Sequence, residues 1–218
     1  MKSFAVIGLS SFGFYMAKYL SSRGFHVLAV DKKEERVERV KSFVDKAIIV
    51  DATDKETLST LGLAELDGVF VSLGDEMDAS ILVTLYLREL KVKRIIAKAL
   101  TEDHGKILDI IGATQVIFPE RDEAFRLSKT LDSDYILDSI NLCEGISIIE
   151  IAPPQEFIGH TLGDLDLRRK YDVLVIVIKE LVPEEVVMVP SADHMIKDTS
   201  ILLILGTDEA LDKIRRMK

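Results

Sequence analysis

A chain of 218 residues suits one large domain, or a domain of about 130 residues with a small companion. Its 48% hydrophobic and 30% charged residues are the balance of a globular protein and exclude a disordered chain. The net charge of −9, uninterrupted by any basic stripe, disfavours direct binding to nucleic-acid phosphates. That charge is uneven: 19 basic against 21 acidic residues through Ser133, then 9 against 16 from Asp134 onward.

Met1-Lys2-Ser3 leads straight into a strand-like run, without the basic-then-apolar order of a secretory leader. The longest aliphatic run, Val173 to Ile178, is far short of the ~20 residues that cross a bilayer. The expectation is a soluble, cytoplasmic chain that meets a membrane only through a partner. Cys143 is the single cysteine, which excludes an internal disulfide and a multi-cysteine zinc site. It reads as a small buried residue among Ile140, Leu142 and Ile146 in a reducing compartment.

Through Phe118 the chain alternates short apolar runs with helical patterns. Ser3–Gly8 is an almost wholly apolar run, as expected of a strand buried on both faces. Phe12–Arg23 follows as a helix closed by Gly24. His26–Val30 is a second strand, with a charged helix over Lys33–Ser42. Ala47–Val50 is a third, with Asp54 placed to cap a helix reaching Leu61. Gly68–Ser72 is a fourth, leading into a helix over Asp75–Leu90. Arg94–Ala97 and Gln115–Phe118 close the series around a helix at Glu102–Ile111. Six β units joined by helices predict a parallel sheet covered on both sides.

After Pro119 the pattern changes. Glu120–Leu131 reads as an amphipathic helix and Tyr135–Ile140 as a second short one, a pair whose apolar side needs cover from the chain's own sheet or from a twin subunit. From Gly145 onward, strands at Ile146–Ile151, Val173–Ile178, Val186–Val189 and Ile201–Leu205 alternate with helices at Leu162–Lys170 and Asp208–Met217. This is the signature of a small α+β unit. A unit of this size is marginal alone and gains from packing against a copy of itself.

The residues with chemical content sit at the first strand–helix junction. Gly8-Leu9-Ser10-Ser11-Phe12-Gly13 follows β-type sequence and opens a helix, the context in which the G-x-G-x-x-G pattern has a mechanism. The first glycine makes the turn, the second lets backbone approach a pyrophosphate, and the third lets helix and strand pack closely. The helix N-terminus then presents free N–H groups to an anion. Here Ser10 replaces the second glycine, which shifts weight from a dinucleotide such as NAD(H) toward a smaller adenosine phosphate. Asp31 ends the second strand, 23 positions beyond Gly8, where a carboxylate accepts from ribose hydroxyls and repels a 2′-phosphate. Lys32 follows it. Asp51-Ala52-Thr53 ends the third strand on the same sheet edge, where an adenine would lie, and Ser72-Leu73-Gly74 ends the fourth.

Catalytic machinery is not evident. The histidines His26, His104, His160 and His194 lie in different elements without partners at metal-ligand spacing. No Ser/His/Asp or Cys/His arrangement assembles. A NAD-dependent oxidoreductase is the alternative from another class, favoured only by the glycine turn.

The stretches VIGLSSFG, VLAVDKKEERV, VDATDKETL, GVFVSLGDEMDASI, RIIAKAL, GATQVIFPERDEA and ISIIEI…LGDLDLRRKYDVLVIVI…ILLILG, taken together, resemble the RCK (KTN) family of potassium channel and transporter regulatory subunits along essentially the whole chain. The resemblance implies a Rossmann-type doubly wound N-domain over 1–119, crossover helices that dimerise over 120–142, and a small α+β C-domain over 143–218. It implies a non-enzymatic, nucleotide-sensing gating subunit beneath an integral-membrane potassium channel or transporter. Copies, alike or mixed with a second RCK chain, would build a ring of eight N-domains whose shape responds to AMP, ADP, ATP or NAD(H). Gly8, Gly13, Asp31, Asp51, Thr53 and Lys98 fall where such proteins approach the nucleotide. Glu120 matches an acid that in some relatives joins a divalent cation. Ser11 stands where many relatives carry an arginine, which argues against strong ATP selectivity. Arg168 and Tyr171 fall near the region where some relatives bind cyclic di-AMP; Asp172 and the acidic balance argue for surface helix residues instead.

Overall fold

The computed structural model describes residues 1–73, 76–131 and 136–217. They form two compact units, Met1–Pro119 and Glu120–Lys218.

In the first unit β1 (Ser3–Ile7), β2 (His26–Asp31), β3 (Lys46–Ile49), β4 (Gly68–Val71), β5 (Ile95–Lys98) and β6 (Gln115–Ile117) make one sheet in the order β3-β2-β1-β4-β5-β6. Every neighbouring pair is parallel, as the alternation of apolar runs and helices requires. The helices are α1 (Ser11–Ser22), α2 (Glu34–Val40), α3 (Lys55–Ser59), α4 (Met77–Glu89) and α5 (Glu102–Ile111). The period of two along each strand divides the apolar residues between two cores. Ala5 and Ile7 of β1 join Val69, Val71, Val83, Leu87 and Leu108 on one face; Val6 joins Val27, Ala29, Ala17 and Val37 on the other. Thus α4 and α5 cover one side of the sheet and α1 and α2 the other. Strand order reverses between β1 and β4, and a doubly wound sheet opens its ligand crevice beyond the strand ends at that point.

The second unit carries α6 (Pro119–Thr130), β7 (Ile136–Cys143), β8 (Ile146–Ile151), α7 (Leu162–Leu165), α8 (Leu167–Tyr171), β9 (Val173–Leu181), β10 (Glu184–Met188), β11 (Ser200–Thr207) and α9 (Asp208–Arg215). Its five strands are antiparallel in the order β10-β9-β11-β8-β7. Ile149, Ile151, Ile178, Leu202 and Ile204 form a core with Phe157, Leu167, Leu211 and Ile214. The fold class read from the sequence is the one observed: a doubly wound parallel sheet followed by a small α+β unit.

Three local expectations are corrected. The second crossover helix, expected over 135–140, is strand β7 from Ile136 onward, and Tyr135 lies outside the described residues. The spacing of Ile136 and Ile140 suits a helix. However, Gly145 at φ +74 lets Glu144-Gly145 turn the chain back, and Cys143 then pairs with Ile146. Cys143 consequently sits exposed beside that turn rather than buried. The single helix expected over 162–170 is two, broken where Asp166 takes φ +44.

Candidate functional site

The glycine turn is built by backbone packing. Gly8 has φ +90, and its amide donates to the Val30 carbonyl at 2.8 Å. A Cβ there would lie 2.2 Å from the Ser72 carbonyl oxygen, and a Cβ on Gly13 would lie 1.9 Å from the Gly8 carbonyl oxygen. Both positions therefore require glycine: Gly8 for conformation and space, Gly13 for the close seating of α1 on the turn. Ser10 caps α1 with its backbone alone, accepting from the Phe14 amide at 2.9 Å, while its hydroxyl makes no capping bond. The amides of Ser11, Phe12 and Gly13 belong to the first helical turn, where no carbonyl of the helix can receive them. With the positive end of the helix dipole they form a seat for an anion.

Asp31 holds this turn in place. Only 5% exposed, its carboxylate accepts from the Leu9 amide at 2.7 Å and the Lys33 amide at 2.9 Å, and Arg36 approaches at 3.3 Å. The expected ribose acceptor thus also ties the end of β2 to the turn after β1. Three of the roughly four lone-pair positions of a carboxylate are occupied.

Beside Asp31 a narrow cleft is lined by Ile7, Val30, Val50, Ala52, Leu73 and Ala79 on its apolar side. Lys32, Arg36, Asp51, Thr53 and Glu76 supply the polar part of its wall. Asp51 accepts from the Thr53 amide at 2.9 Å and the Thr53 hydroxyl at 2.7 Å. The Thr53 hydroxyl, then its amide, then the charge of Lys32 hold the Asp51 carboxyl below its ordinary range. Lys32 Nζ donates to Glu76 Oε2 at 2.6 Å, which raises the lysine pKa.

Of the residues named from the sequence, the cleft wall unites Asp31, Lys32, Asp51, Ala52, Thr53 and Leu73. Gly8, Gly13 and Ser72 meet at the adjoining turn. The Ser72 hydroxyl is buried and has no hydrogen-bond partner among the described residues. Ser10, Ser11 and Phe12 occupy the start of α1 and do not line the cleft. Lys98 is buried at the end of β5, separated from β1 by β4. Glu120 lies on α6 in the second unit; among the described residues no group of three or more His, Cys, Asp and Glu side chains could hold a metal ion. Gly74 lies outside the described residues. The sequence reading missed Arg36, Glu76 and Ala79. The first had a signal, since it stands one turn into the helix that follows Asp31; the other two enter from α4 and its cap.

Together the fold and this cleft define a class: a Rossmann-type domain with its glycine turn and strand-end acid at the switch point, followed by a small antiparallel-sheet domain. Residues 4–119 match the TrkA-N domain and residues 146–218 the TrkA-C domain. Over 206 residues the chain is 40% identical to Ktr system potassium uptake protein C of Bacillus subtilis (strain 168), covering 94% of this chain and 92% of the relative. It is 35% identical to Ktr system potassium uptake protein A of the same organism, covering 94% and 91%. Among solved structures, the GsuK channel bound to NAD superimposes with a TM-score of 0.68 at 18% identity, covering 98% of this chain and 39% of that one. The chain therefore spans well under half of that channel, and the likeness is one of fold. The chain belongs to the TrkA-N/TrkA-C family and is homologous to the Ktr potassium uptake proteins. The oxidoreductase alternative has no support from these relatives.

Proposed function

We propose that this chain is a non-enzymatic, nucleotide-sensing regulatory subunit of a potassium channel or transporter. An adenine nucleotide rests its phosphates on the amides of the glycine turn and its ribose on Asp31. The base enters the cleft between Asp51-Ala52-Thr53 and Ala79. The observation that carries the reading is the convergence of turn, acid and cleft at one switch point, with the Ser72 hydroxyl buried beside the turn and lacking a partner among the described residues. A hydroxyl there suits a phosphate oxygen, because a buried polar group without a partner is costly. That a channel with the same fold is described as bound to NAD supports nucleotide as the ligand class. AMP, ADP, ATP and NAD(H) are the candidates, with Lys98 and a divalent cation at Glu120 as further contacts proposed on the family resemblance.

The membrane partner, the cytoplasmic location and the ring belong to the same proposal. The names of the Ktr relatives support a potassium uptake system. No helix among the described residues is long and apolar enough to cross a membrane, so attachment through an integral-membrane partner is the arrangement proposed. Leu131 beyond α6 and Leu137, Ile140 and Leu142 on β7 are all exposed apolar residues. Exposed apolar residues of this kind suit association, and pairing of copies through residues 120–142, then into a ring, would cover them.

Calorimetric titration with AMP, ADP, ATP and NADH tests the ligand. At least one should bind, and Asp31→Ala should weaken it about tenfold or more, the cost of a lost hydrogen bond to a charged group. Urea unfolding of Asp31→Ala, run beside the titration, reports the loss of the structural bonds to Leu9 and Lys33 separately from the loss of the ribose bond. Unchanged affinity in Asp31→Ala, or turnover of NADH with a carbonyl substrate, overturns the proposal.

A further inference from the structure

Glu76 and Lys32 come from opposite sides of the cleft. Lys32 follows β2, and Glu76 is the residue whose carbonyl starts α4, accepting from the Ser80 amide at 3.0 Å. Their side chains meet at 2.6 Å across the groove they line together with Asp51, Thr53 and Ala79. With the pair formed, the cleft leaves about 20 Å³ of accessible room, enough for about one water molecule. Sites for ligands of nucleotide size offer ~300 Å³ or more. An adenosine seated in this cleft therefore needs room that the pair occupies in this conformation.

We infer that the Lys32–Glu76 ion pair is a strap that closes the adenosine cleft and competes with the nucleotide. The inference rests on the adenosine reading of this cleft and adds to it a built-in opposition to binding. Lys32 and Glu76 are both about half exposed, and a pair so exposed alters an equilibrium constant by about fivefold at most. The strap is therefore light: it tunes occupancy and does not forbid it. Salt weakens it, because exposed charges are screened, so the strap loosens as ionic strength rises.

The test uses the full chain with AMP as probe. In about 20 mM salt Glu76→Gln and Lys32→Met should each tighten AMP binding about two- to fivefold, and the double variant should gain no more than either one. In about 0.5 M salt the gain should vanish. A readout without nucleotide runs in parallel. Ala79→Cys, placed in the cleft wall in a Cys143→Ser background, should react with a small methanethiosulfonate about two- to fivefold faster when Glu76→Gln is added. Unchanged labelling, or weaker AMP binding in Glu76→Gln, overturns the strap. Faster labelling combined with AMP affinity that ignores Asp31→Ala leaves the strap standing and removes the adenosine reading instead.

Discussion

Replacing Gly13 by alanine isolates a steric effect from a conformational one. Gly13 does not have a positive φ, so alanine suits its backbone, yet the added Cβ meets the Gly8 carbonyl oxygen at 1.9 Å. Reaching 3.0 Å, the lower limit for such contacts, requires a retreat of about 1.1 Å by α1 or by the turn. Both partners are main chain, so no side chain can swing away. Overpacking costs about 1–3 kcal/mol, and a clash between rigid partners belongs at about the upper end. Gly24→Ala is the complementary control: φ is +79 but nothing lies within 4 Å of the new Cβ. Its cost is the left-handed conformation, roughly 1–2 kcal/mol, partly offset by the smaller chain entropy of alanine in the unfolded state. Gly8→Ala combines φ +90 with a contact of 2.2 Å and should exceed either. The order Gly24→Ala, Gly13→Ala, Gly8→Ala should emerge from urea unfolding followed by tyrosine fluorescence, with Tyr15 and Tyr19 stacked on α1 as reporters. Gly13→Ala should also weaken adenine nucleotide binding, since the helix amides move off the turn. A Gly13→Ala protein within about 0.5 kcal/mol of the parent, the scatter of surface substitutions, would refute the packing argument.

Burial lowers the pKa of His104 below its ordinary 6.5, so the unfolded chain binds the extra proton more readily. Its contribution to stability is fully present above pH 6.5 and declines as pH falls toward the folded value; His104→Asn should flatten the stability–pH profile in that window, and an unaltered slope would contradict it. Ser72→Ala removes a buried hydroxyl with no partner among the described residues. In nucleotide-free protein it should be neutral or stabilising by up to about 1 kcal/mol in a thermal melt, while phosphate-bearing ligands bind more weakly; a large loss of stability would reveal a partner. Light scattering should show oligomers in the parent and smaller species in a Leu131→Glu, Leu142→Glu double variant, and a parent that stays monomeric at every concentration would end the ring proposal.

Much of this molecule was legible in one dimension because the controlling interactions are local or periodic. Two-face burial makes Phe4–Ile7 read as a continuous apolar run, and the parallel sheet follows from the alternation of such strands with helices. Gly8, Gly13 and Asp31 were legible because the turn needs fixed spacing and the acid must end the neighbouring strand. Tertiary structure decided what the spacing could not. That Gly13 faces the carbonyl of Gly8, and Gly8 that of Ser72, depends on β1 lying beside β4. That Arg36, Glu76 and Ala79 share a wall with Asp31 depends on α2 and α4 converging on one crevice. The helical spacing of residues 136–140 lost to strand pairing because β7 pairs with β8 along most of its length, with two register shifts, and the same turn leaves Cys143 in solvent. Periodicity reports which face of an element is apolar; only packing decides which distant element supplies the other wall.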